Sequence, residues 1–358
     1  MSNYFARAGC SSSWLFLAWA LYVRATPTEV IPPDLHGAIQ PQVAVAPDQK
    51  IYVAFGRGDR IYCASSVDDA RTFLPPQLVA QLPNLALGMR RGPRIVASDK
   101  QITISAVSHQ DGNLYAWSSA DAGKTWSRGT RINSVTNAAR EGLHGMAGDQ
   151  RGNLFVVWLD LRNGSTQLWG AGSLDGGRTW GYNVLIYQSP DGHICECCHP
   201  SVEVGANGRI RVMWRNWLGG SRDLYTASTD GGQTFGPATK LGTGTWPLNA
   251  CPMDGGALAG PWSVWRRGST VYYTDGQPGE HQLGSGKQPV VASGVTGPCF
   301  VWEENPRLMF KNGSAPPAML ASNGAYPAMA IATANHVPIV VWESSANGVQ
   351  TILADVLK

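Results

Sequence analysis

Charge is scarce in this 358-residue chain: Asp, Glu, Lys and Arg together make up 15% of it, and the formal net charge is +3. So small an excess, with no run of Lys or Arg, gives no electrostatic footprint for nucleic acid. Long apolar runs are missing too. The longest, Trp14–Val23, is ten residues and too short to span a membrane. What the chain has instead is 42 Gly, 23 Pro and 14 Trp. Abundant turn formers and aromatics with few charges predict many short strands joined by tight turns. The length suits two average domains or one large all-β domain.

The apolar run has the marks of an export signal. Arg7 lies before it, and Val23-Arg24-Ala25 after it fits a small-residue cleavage site. The expectation is a signal peptide over residues 1–25, a mature chain starting near Thr26, no membrane span after cleavage, and a secreted or periplasmic protein. Such a compartment permits disulfides. Cys10 would leave with the signal, and Cys63, Cys195, Cys197, Cys198, Cys251 and Cys299 would remain.

Four segments share one pattern: Ser66-Val-Asp68-Asp-Ala-Arg-Thr72-Phe73, Ser119-Ala-Asp121-Ala-Gly123-Lys-Thr125-Trp126, Ser173-Leu-Asp175-Gly-Gly177-Arg-Thr179-Trp180 and Ser228-Thr-Asp230-Gly-Gly232-Gln-Thr234-Phe235. They recur roughly every fifty-odd residues, a period that fits one four-stranded propeller blade. Ser and Asp oxygens suit the backbone N–H groups of a tight turn, Gly supplies positive φ, and the aromatic packs beneath. These aspartates therefore read as structural. The first copy is degraded, with Ala70 where Gly is expected.

The pattern resembles the Asp-box, S-x-D-x-G-x-T-W, of sialidases and other BNR-repeat proteins. The resemblance implies an all-β, sialidase-like propeller with Asp-box turns and leaves activity open, since such propellers include enzymes, receptors and assembly factors. That fold has six blades. Pairing apolar first strands (Gln42–Ala46, Arg94–Ala97, Ser201–Val204, Val290–Ala292) with second strands that often end in Trp (Leu154–Trp158, Ile210–Trp214, Trp262–Trp265, Phe300–Trp302, Ile339–Trp342) gives seven units. The expectation is a six- or seven-bladed β-propeller over residues 26–358.

In a propeller the lead-in to the first strand and the exit from the second share one face, and the Asp-box turns lie on the other. The site should therefore lie away from the boxes, at a channel mouth ringed by Glu141, His144, Asp160, Arg162, the Cys195-Glu-Cys197-Cys198-His199-Pro200 segment, Arg215, Cys251, Arg266, Glu303, Tyr326 and Glu343. Cys195, Cys197, Cys198, His199, Cys251 and His144 precede first strands of three consecutive units. Thiolate and imidazole are ligands for copper or zinc. Structural disulfides, such as Cys197 or Cys198 with Cys251, are the alternative. A third is covalent haem, since Cys195-Glu-Cys-Cys198-His199 formally matches C-x-x-C-H.

The chain also resembles a bacterial sialidase-like subgroup, through Arg140–Met146, Trp158–Gly164, the C-x-C-C-H-P segment and Leu248–Pro252. True sialidases grip the substrate carboxylate with three arginines and use a Tyr nucleophile assisted by Glu, with an Asp acid. Arg94 in Pro93-Arg94-Ile95-Val96 is similar to their first arginine, but the flanking aromatic and proline are absent. Arg215 and Arg266 could complete a triad; Asp160 is a candidate acid, and Glu141 or Glu303 with Tyr326 a candidate pair. None keeps the family's spacing. Two readings remain: a propeller binding metal or a small ligand at its Cys/His mouth, or a glycoside hydrolase acting on acidic sugars.

Overall fold

In the computed structural model, which describes residues 26–99, 101–294, 297–332 and 336–357, the chain forms seven four-stranded antiparallel sheets. Six are continuous in sequence: blade 1 from Ile39–Val45 to Leu74–Gln81, blade 2 from Arg94–Ala97 to Thr130–Arg131, blade 3 from His144–Gly148 to Val184–Tyr187, blade 4 from Ser201–Val204 to Thr239–Lys240, blade 5 from Ala257–Ala259 to His281–Ser285, and blade 6 from Lys287–Gly294 to Ala318–Ala321. Blade 7 takes Ala325–Ile331, Pro338–Ala346 and Val349–Val356 from the C-terminal end and its outer strand, Thr28–Glu29, from the N-terminal end. That pairing closes the ring. The first strands of successive blades pack on one another around a central channel. The count is seven, and the expected export segment, residues 1–25, lies outside the described residues.

The second strands carry the core. Trp158, Trp214, Trp265, Trp302 and Trp342 stand at equivalent places in blades 3 to 7, each at most 2% exposed. Each fills the space between neighbouring sheets, where truncation of a buried Trp costs about 3–5 kcal/mol.

Three boxes close as their residues dictate. Ser119 Oγ accepts the Gly123 N–H at 2.9 Å, while the Asp121 carboxylate accepts the Thr125 N–H at 2.9 Å and its hydroxyl at 2.6 Å. Ser173 and Asp175 bind Gly177 and Thr179 likewise. The degraded first copy closes by the same bonds, because Ala70 accepts a left-handed φ of 59°. The fourth copy, intact in sequence, departs from the pattern: Thr229 Oγ1 accepts the Gly231 and Gly232 N–H groups at 3.3 and 3.2 Å, and exposed Asp230 takes no part. The strand runs on through Thr229, one residue past its counterparts relative to the box, which places the next hydroxyl under the turn.

Candidate functional site

The segment joining blade 3 to blade 4 crosses the face opposite the boxes. It is anchored on both sides: the Ile194 N–H donates to Thr166 O at 3.0 Å and the Cys195 N–H to Arg215 O at 3.1 Å. This turns three thiols inward. Cys195, Cys197 and Cys198 are 1, 6 and 1% exposed, and their sulfurs all lie within 4.8 Å of one another. Cys195 Sγ is 3.5 Å from each of the other two. A disulfide needs about 2.05 Å, and none of the three is bridged. Arg222 Nη1 donates to Cys195 Sγ at 2.9 Å, the Asp254 N–H donates to Cys198 Sγ at 3.4 Å, and Met253 packs against the cluster. Hydrogen bonds from Cys197 and Cys198, with the Arg222 charge adding to them, hold the Cys195 thiol well below its ordinary range. Cys197 moves up because its proton is held between its neighbours, and burial pushes Cys198 up to about 12. Of the three, Cys195 is the sulfur most readily deprotonated.

The other expected ligands stand apart. Cys251 is exposed and unbridged, so the expected link to Cys197 or Cys198 is not formed. His199 turns toward the channel, with Nε2 at 3.1 Å from Gly256 O. His144 is wholly buried, with Nε2 at 3.0 Å from Ser105 Oγ. Burial first, then the arginines around them, hold both imidazoles neutral, well below their usual pKa. Neither histidine nor Cys251 joins the three sulfurs in a ligand group among the described residues. Adjacent blades bring these residues to one mouth, but the loop path aims each differently. The channel cavity, lined by His199, Arg90 and Arg94, holds about 230 Å³. That is below the roughly 300–1,000 Å³ of drug-sized ligand pockets, and Cys195 and Cys198 are not among the residues that line it.

The arginines are occupied. Arg94 donates to His144 O, Gly92 O, Pro93 O and Arg90 O. Arg215 donates to Asp254 O, Arg222 O and Arg266 O. Arg266 Nε donates to Gly268 O at 2.6 Å, and its guanidinium shares the Trp246 ring with that of Arg215. The forks of Arg94 and Arg215 brace the mouth by tying main-chain carbonyls together. Asp160 is wholly buried; its oxygens accept from the Trp158 indole, the Arg162 N–H and the Arg162 guanidinium. In this position it braces the exit of the second strand. Glu303 meets the Tyr326 main-chain N–H, not its hydroxyl, at 2.6 Å. Half-buried Glu141 is the one candidate carboxyl not engaged in this way. Burial raises its pKa against the pull of Arg91 and Arg140.

Three carboxylates share a role that the sequence did not reveal. Glu343 accepts the Gln40 N–H at 2.7 Å, Glu303 that of Tyr326 at 2.6 Å, and Asp254 that of Gln288 at 2.8 Å. Gln40, Tyr326 and Gln288 each precede proline at a bulge in an innermost strand, with φ of 58°, 49° and 52°. Each clamp ties one blade to the next. The two glutamates each follow a Trp near the end of a second strand, with x-Pro opening the next blade, whereas Asp254 lies in the lead-in to blade 5. Met253 and Arg222, both against the sulfurs, were also missed as cluster residues.

Residues 101–250 match the BNR repeat-like domain family. Over that stretch the chain is similar to BNR repeat-like domains. Among solved structures the propeller resembles an α-L-arabinanase from Penicillium chrysogenum complexed with arabinobiose (TM-score 0.56, 13% identity, 94% of this chain and 98% of that one). It also resembles a Dyadobacter fermentans protein of unknown function (0.56, 16%, 93% and 98%) and the intramolecular trans-sialidase of Ruminococcus gnavus (0.51, 10%, 92% and 97%). At such identities the likeness is one of fold. No curated protein matches the chain.

Proposed function

We propose that this propeller is an exported metal-binding protein that holds copper or zinc through Cys195, Cys197 and Cys198. The observation that carries the reading is the convergence of three buried, unbridged sulfurs within 4.8 Å. Three buried sulfurs gathered in one place suit a soft cation, whose binding would displace their protons. The rigid blades on either side supply the preorganised frame such a site needs. His199, His144 and Cys251 are not part of this ligand set. Export, with secretion or residence in the periplasm, is the setting that residues 7–25 suggest.

The test is elemental analysis of protein purified without chelator, beside a variant with all three residues changed to Ser. Metal near stoichiometry in the parent and none in the variant supports the reading. A metal-free parent with the three sulfurs in disulfides overturns it.

A glycan or other small-molecule ligand at the same mouth is the second reading. Its support is the pair of half-buried indoles, Trp217 and Trp246, beside the cluster, and fold neighbours solved with sugars. The occupied arginines count against acidic sugars. Turnover of sialosides or arabinan would establish it.

A further inference from the structure

We infer that the metal is copper in its cuprous state and that Met253 is its fourth ligand, an inference that rests on the metal-site reading above. Zinc sites are completed to four ligands by imidazole, carboxylate, thiolate or water. Among the described residues no imidazole or carboxylate joins the three sulfurs. The side chain that packs on them is Met253, a thioether. Soft thiolate and thioether ligands together select Cu(I).

The backbone at Met253 supports a role for its side chain. The residue sits at φ 55°, in the left-handed region where glycine or asparagine is the ordinary choice. It is fixed there from both sides. Met253 O accepts Gln288 Nε2 at 2.7 Å, and the next N–H, of Asp254, donates to Cys198 Sγ. Asp254 is itself pinned: Oδ2 accepts the Gln288 N–H at 2.8 Å and its carbonyl accepts Arg215 Nε and Nη2. Such strain concentrates at ligand clamps. The same loop is held to the cluster by Arg222, which donates from Nε to Leu248 O at 3.3 Å and from Nη1 to Cys195 Sγ. One guanidinium therefore fixes the loop that carries the thioether and offsets the negative charge that remains when thiolates surround a monovalent ion.

The experiment is an oxygen-free titration of the reduced full-length protein with Cu(I) held by a coloured chelator, run in parallel with Zn(II), on the parent and on Met253→Leu. Leucine keeps the volume and removes the sulfur. The expected result is uptake of Cu(I) in preference to Zn(II), a metal shell of sulfur alone by X-ray absorption, and an affinity for Cu(I) lower by about tenfold or more in M253L. Zn(II) binding on M253L should match the parent, which shows that the three cysteines are still in place. Preference for zinc, or nitrogen or oxygen in the copper shell, or a Cu(I) affinity unchanged in M253L, overturns this inference while the metal site stands. Failure of reduced protein to take up either metal overturns both.

Discussion

At the scale of single residues, the Asp-box aspartates show how one carboxylate organises a turn. Asp175 accepts from the Arg178 and Thr179 N–H groups and from two hydroxyls. Asp175→Ala should lower stability by about 1–2 kcal/mol in denaturant unfolding, because those amides lose their acceptor. Metal content of the folded fraction should not change. The Thr72 hydroxyl and N–H around Asp68, and those of Thr125 around Asp121, lower both pKa values from 3.8 to about 2. A depressed carboxyl gives stability that is present above its unfolded pKa and lost as pH falls through its folded one. Acid unfolding followed by Trp fluorescence should therefore show these turns weakening between about pH 4 and 2, and Asp121→Asn should remove its share of that slope. The fourth box is a lesson in what a motif match conveys. Its residues fit the pattern better than those of the first box, yet Thr229 took over the turn. Register along a strand, decided by packing, selects which hydroxyl lies beneath the amides.

At the scale of elements, the strands were legible because second strands repeat apolar residues ending in Trp, and because four boxes mark the third-to-fourth turns. The clamps between blades were not legible. Nothing in the residue types Gln and Tyr signals a left-handed backbone, which here arises from a bulge before proline and is held by a carboxylate from the preceding blade or its lead-in. Glu343 is 7% exposed, and burial raises its pKa against the bonds from Gln40. Glu343→Ala should cost about 1–3 kcal/mol by leaving the buried Gln40 N–H without an acceptor. Glu343→Gln keeps an oxygen in place and should cost less. Equal losses in a thermal melt would show that the clamp acts through packing alone.

At the scale of the whole molecule, the ring placed the candidate residues at one mouth, as strand order implied. The Cys195–Cys198 cluster was legible because its members are adjacent in sequence, so a local turn suffices to gather them. Its remaining neighbours come from separate loops, Arg222 between the second and third strands of blade 4 and Met253 between blades 4 and 5. Only the loop paths decide that Met253 faces the sulfurs while Cys251, two residues earlier, faces solvent. The arginines look from sequence like a carboxylate grip, and in the fold Arg94 and Arg215 bond main-chain carbonyls. Mass measurement of the intact, unreduced protein, first native and then in acid, tests the central claim most directly. The account predicts a native mass greater than the polypeptide by a single copper ion. In acid that increment should be lost and the polypeptide should appear with Cys195, Cys197 and Cys198 as thiols. A native mass without metal and short by two hydrogens for a disulfide within the trio, or a covalent increment that survives acid, would contradict it.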